Sequence, residues 1–212
     1  QSVDPTATLT IVNSLFRNNE ALGGDDATNP VYRRSLGGGF LNNSTGTQVW
    51  GSRFVGNSVV GGDDTGSGYA GTGEGGGLYT GGQQPSITVS DTTFQWNSAL
   101  GGRRLVSGES VEAPFTGEAY GGAFYSANGV TTINGGSFVH NQATVRIPGD
   151  RSARGGAIAL DYPTQGYTNH LVTNGVRFSS NTAQSRTGPA GGGAIAHNAT
   201  TFTDNSSTFS GN

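Results

Sequence analysis

An all-β fold is predicted for this 212-residue chain. It is a single-stranded parallel β-helix, or solenoid, of about five to six rungs with long loop insertions on one corner. Three observations carry the prediction. The first is Phe-x-x-Asn-x-(Ala or Val), at Phe16/Asn19/Ala21, Phe54/Asn57/Val59, Phe94/Asn97/Ala99, Phe138/Asn141/Ala143 and Phe178/Asn181/Ala183, with a closing Phe209-x-x-Asn212. The second is a double-glycine motif, Gly-Gly-(Ala or Gly)-(Ile, Leu or Phe), at Gly37 to Phe40, Gly75 to Leu78, Gly121 to Phe124, Gly155 to Ile158 and Gly192 to Ile195, alternating strictly with the first. The third is a period of roughly 31 to 46 residues with short β-rich runs and no helical spacing, the mark of stacked repeats that share one core.

Each element follows from spacing. Seven and five residues before the motif Phe stand Leu9/Ile11, Thr47/Val49, Ile87/Val89, Thr131/Ile133 and Leu171/Thr173, period-two spacing that predicts a strand with both positions inward. A bend and a second short strand then bring in the Phe. Coils stacked about 4.8 Å apart align Phe16, Phe54, Phe94, Phe138, Phe178 and Phe209 in one internal ladder, and Phe40, Leu78, Phe124, Ile158 and Ile195 in another. The asparagines Asn19, Asn57, Asn97, Asn141, Asn181 and Asn212 are expected at the turn after the aromatic, because Asn tolerates left-handed backbone and can bond to the Asn of the next coil. The paired glycines supply a tight corner or close approach; a phosphate cradle would need a following helix, and none is visible. Between the Ala or Val and the double glycine the chain inserts 15, 15, 21, 11 and 8 residues, so one side is expected to carry a crust of loops and any binding face. The unbroken pattern predicts one domain, 1–212, with residues 1–8 as an N-terminal arm.

The Gly-Gly-Ala-Ile and Phe-x-x-Asn repeats, over roughly residues 9 to 212, resemble those of the polymorphic outer-membrane proteins and related autotransporter passengers. The resemblance implies a right-handed parallel β-helix displayed outside bacteria and used in adhesion; the handedness rests on the resemblance alone. Two of the five glycine motifs depart from it, with Gly39 and Gly77 in place of Ala.

Composition bounds the function. Glycine is 38 of 212 residues, charged residues are 12% and hydrophobic residues 32%, all unlike an average globular domain, yet the strict ladder phase separates the chain from disordered low-complexity sequence. There is no Cys, Met or Lys, and all eleven cationic residues are Arg, which removes disulfides and thiolate metal sites. A start at Gln1 without Met reads as a mature chain freed of a secretion signal, hence an expected extracellular or cell-surface location. Asn42, Asn43, Asn198 and Asn205 are candidate N-glycosylation sites. A net charge of −3 and no basic stripe argue against a nucleic-acid partner, and no apolar run reaches the length of a membrane span.

Three insertions open in register: Gly23-Gly24-Asp25-Asp26, Gly61-Gly62-Asp63-Asp64 and Gly101-Gly102-Arg103-Arg104. Stacked, Asp25, Asp26, Asp63 and Asp64 form a candidate Ca²⁺ site, the one cofactor considered; the competing reading is that the arginines neutralise the acids as an exposed ladder. Asp25, Asp63, Arg103 and Arg104 would also serve a polysaccharide lyase or glycoside hydrolase, but the roots of Gly-rich inserts position side chains poorly, and no catalytic set is expected. His140, His170 and His197 share no metal spacing. Trp50, Trp96, Tyr79 and Tyr125 flank inward positions and so point outward, either to stack on glycans or to lie beneath the insertions as a second small core. The strand pattern starts at residue 8 and closes on a turn position, so both end rungs present open backbone that invites another chain. The expectation is a head-to-tail homopolymer, a surface filament with itself as first partner and surface glycans or host and cell-surface receptors beyond.

Overall fold

The computed structural model describes residues 8–25, 33–64, 70–82, 85–103, 117–146, 152–161, 168–185, 188–198 and 201–212. The first coil runs β1 (Thr8–Val12), β2 (Leu15–Arg17), β3 (Glu20–Leu22), β4 (Ser35–Leu36) and β5 (Phe40–Asn42); numbering continues five strands to a coil, ending at β26 (Thr201–Asn205) and β27 (Thr208–Ser210). Strands of like position stack into five parallel walls, A to E, in the order of β1 to β5. Walls A and B have six strands and walls C, D and E five. All five walls are thus paired over four successive steps, and the last step carries only β26 and β27. The complete stack is slightly shorter than the five to six rungs expected.

Register is uniform. Phe16, Phe54, Phe94, Phe138, Phe178 and Phe209 are direct partners along wall B, and their rings stack nearly parallel at 4.6 to 5.2 Å. Phe40, Leu78, Phe124, Ile158 and Ile195 pair along wall E. With Ile11, Val49, Val89 and Ile133 of wall A they make one continuous core. Both ladders and both wall A columns therefore stand where the spacing put them.

The turns are displaced from expectation by one residue. In every coil two residues adopt left-handed backbone, three before the Phe (Asn13, Gly51, Asp91, Gly135, Gly175, Ser206) and two after it (Asn18, Gly56, Trp96, His140, Ser180, Gly211), with φ between 47° and 64°. The motif Asn is the next residue. It is not the turn; it points inward, and Asn57, Asn97, Asn141 and Asn181 are fully buried. The first glycine of each pair, Gly37 and its equivalents, is also left-handed. The second is required for close approach: a Cβ on Gly76 would lie 2.3 Å from the carbonyl oxygens of Gly122 and Ser98.

The insertions are not loops throughout. Their last two residues before the double glycine form wall D, as in Gly73–Glu74 and Ala119–Tyr120. Their first glycines pack backbone against backbone, Gly62 N–H donating to Arg33 O, Gly71 N–H to Gly62 O and Gly102 N–H to Gly71 O at 2.8 to 2.9 Å. Among the described residues no helix is long and apolar enough to cross a membrane.

Candidate functional site

Inside the B–C corner the asparagines form a polar spine. Asn19 Nδ2 donates to Asn57 Oδ1, Asn57 to Asn97, Asn97 to Asn141, Asn141 to Asn181 and Asn181 to Asn212, at 2.7 to 2.9 Å. Each acceptor oxygen also takes the backbone N–H of the preceding Asn, as Asn97 Oδ1 takes that of Asn57 at 3.0 Å. From Asn57 onward the second Nδ2–H reaches back to the motif Phe carbonyl one coil earlier, as Asn97 to Phe54 O at 2.9 Å. A buried amide with every group bonded is stable where a lone one is costly. The Asn-to-Asn bonds all run one way along the stack, each Nδ2–H donating to the Asn of the next coil.

At the C–D corner the expected column exists, but its carboxylates diverge. Asp25 Oδ1 accepts from Asp63 N–H, and Asp63 Oδ1 from Arg103 N–H, both at 2.7 Å. Asp63 Oδ2 takes the Arg103 guanidinium at 2.8 and 3.0 Å, and Arg146, which the sequence did not single out, adds a contact of 3.3 Å. Partial burial works to raise the Asp63 pKa, yet hydrogen bonds and charge from Arg103, then the charge of Arg146, hold it below the ordinary carboxylate range. Asp64 turns the other way and pairs with Arg33 at 2.8 Å, both side chains fully buried. Asp63 and Asp64 therefore do not converge on one cation, and no three metal-ligating groups come together among the described residues. Asp26 and Arg104 lie outside the described residues. Leu22, Val60, Asp25, Asp63, Arg103 and Arg146 line a cleft of about 220 Å³ here.

Tyr79 and Tyr125 follow the second of the two readings open to them, a small core rather than a sugar-facing surface. Both are buried, stacked at 5.5 Å, and packed with Ala159, Leu36, Tyr120 and Ala127 in a small second core. Their register neighbours in wall E are Leu41 and Ala159, so the outer face of this wall is covered. Tyr125 OH donates to Asp161 at 2.7 Å, and burial pushes the Tyr79 phenol up to about 12. Beside them Arg34 makes three contacts of 2.6 to 3.0 Å to buried Glu74; burial raises the Glu74 carboxyl and Arg34 only partly offsets it.

Trp50 and Trp96 do face solvent. Trp50 Nε1 lies 3.4 Å from Asp91 Oδ2, and the Trp96 indole stacks on His140. His170 and His197 stand apart on walls A and E. Of the sequon asparagines, Asn42 is buried and bonded to Thr80 Oγ1 and Ser44 N–H, which removes it as a glycan acceptor; Asn43 is exposed, Asn198 half-buried, and Asn205 is exposed but donates to Asn174 at 2.7 Å.

Comparison with protein-family models, with curated proteins and with solved structures yields no match.

Proposed function

We propose that the chain is an extracellular structural or adhesive β-helix whose copies stack head to tail into a surface filament. The observation that carries this reading is the one-way spine. Extended by one step, it sets the Asn212 Nδ2–H of one copy against the Asn19 Oδ1 of the next, and places Phe209, half-exposed at the end of its ladder, on Phe16. Among the described residues, β26 and β27 end walls A and B on one side and β1 and β2 on the other, and parallel strands of this kind offer matching backbone donors and acceptors. The likeness of the repeats to polymorphic outer-membrane proteins and autotransporter passengers supports surface display and adhesion as the setting. Of the carboxylates considered for sugar cleavage or Ca²⁺, Asp63 is engaged by Arg103 and Arg146 and Asp64 by Arg33, which favours a structural part for these two.

Sedimentation velocity and negative-stain electron microscopy over a range of concentrations test the proposal. Wild type is expected to form concentration-dependent fibres, and Phe209→Lys, at an exposed position, to remain monomeric with an unchanged circular dichroism spectrum. A wild-type chain that stays monomeric throughout overturns it.

A further inference from the structure

The turn position after the motif Phe is held by Asn18, Gly56, Ser180 and Gly211 in four coils, residues that are small or at ease with left-handed backbone. In the two central coils it is held by Trp96 and His140, at φ 54° and 53°. A bulky residue there is a conformational outlier costing on the order of 1 kcal/mol or more, and such outliers gather at binding sites. The indole is 58% exposed, so core packing does not explain it. The stack with His140, 6.2 Å between centroids and 11° between planes, fixes one face of the ring.

The opposite face is turned toward the coil of Gly56, whose corner carries no side chain. The position a Gly56 Cβ would take lies 2.6 Å from Asn18 Oδ1, so the Asn18 carboxamide closes the far side. Between Trp96 and Asn18 are two steps of about 4.8 Å, room for one flat ring. The rim is mostly polar: Gln95, Val55 and Arg17 occupy one register line of wall B, and Ser98, Ser58 and Glu20 one of wall C, with the Ser58 hydroxyl donating to Glu20. A flat aromatic face beside one valine and otherwise bordered by an amide, hydroxyls and one charge of each sign suits a neutral ring that has both an apolar face and many hydroxyls, better than an anionic or wholly apolar ligand.

We infer that the Trp96 face above Gly56 is a subsite for a neutral pyranose ring, stacked on the indole and hydrogen-bonded by Asn18 and its neighbours. This deepens, and rests on, the adhesive half of the proposed function.

The test uses a Trp50→Phe chain, in which Trp96 is the only tryptophan, titrated with cellohexaose, chitohexaose and, as an anionic control, 3′-sialyllactose. At least one neutral oligosaccharide is expected to give a saturable change in fluorescence. Adding Gly56→Asn, which tolerates left-handed backbone and meets only the mobile end of Asn18, fills the slot and is expected to weaken binding roughly tenfold or more with unchanged melting. No saturable response to either neutral sugar, a response indifferent to Gly56→Asn, or a stronger response to sialyllactose each overturns the inference. Phe209→Lys separates it from filament formation, since it blocks stacking and leaves this corner untouched.

Discussion

At Asn97 one buried carboxamide makes four hydrogen bonds: to Asn141 Oδ1 and Phe54 O through Nδ2, and from Asn57 N–H and Nδ2 through Oδ1. Asn97→Ala removes all four bonds and leaves the buried Asn57 N–H without its acceptor, and a loss of about 3 kcal/mol or more is expected in denaturant melts. Asn97→Asp gives a sharper test. Its carboxylate would face two acceptors, Asn141 Oδ1 and Phe54 O, in a buried site, so its folded pKa lies above the unfolded value. Stability from such a group is full below the unfolded pKa and lost as pH rises through the folded one. The deficit of Asn97→Asp against wild type should therefore shrink from pH 7 to pH 4. Asp63 has the opposite sign: its depressed pKa gives stability at neutral pH that is lost as pH falls through the folded value. A deficit that stays constant with pH would show that the amide's donors do not matter. The spine itself was legible, since an Asn at fixed phase from a buried Phe has few other uses. The left-handed residue was not, because its side chain points to solvent and residues as unlike as Gly56 and Trp96 fill it.

Among elements, walls A, B and E were readable because each carries an apolar residue at constant phase. Wall D was not: two residues per strand, from Ser35–Leu36 to Ala190–Gly191, give no period, and they lie inside segments of changing length. The buried Arg33–Asp64 pair escaped for the same reason. The strength of the ladders can be measured along wall B. Phe94 is fully buried, stacked between Phe54 and Phe138 and met edge-on by Phe124, so Phe94→Ala is expected to cost about 3 to 5 kcal/mol. Phe209 is 47% exposed, and Phe209→Ala should cost well under half as much in dilute solution; equal losses would contradict the stacking as described. At the C–D corner backbone contact sets the limit. A Cβ on Gly71 would stand 1.7 Å from Arg33 O, whereas one on Gly46 meets nothing nearer than Thr8 Cγ2 at 3.3 Å. Gly71→Ala should abolish cooperative melting, and Gly46→Ala should shift it by about 1 kcal/mol or less.

For the whole molecule the proposed head-to-tail stacking makes a definite geometric demand on the described end strands. β26 and β27 stand one coil beyond walls C, D and E. A second copy seated with β1 on β26 and β2 on β27 pairs two walls fully and leaves the other three facing each other across a gap one strand deep. The six strand levels of walls A and B then give the proposed stack an axial repeat of about 29 Å. In the proposed filament this contact is heterologous, a kind that does not close on itself. The alternative, two copies meeting by the same end, sets like groups of the spine against each other, Asn212 donors toward Asn212 donors, and the wall B strands antiparallel. Such a pair would stop at a dimer. Fibres with an axial repeat near 29 Å are therefore the image that the proposal expects. A discrete dimer in sedimentation would show that the direction of the asparagine spine does not govern how copies meet.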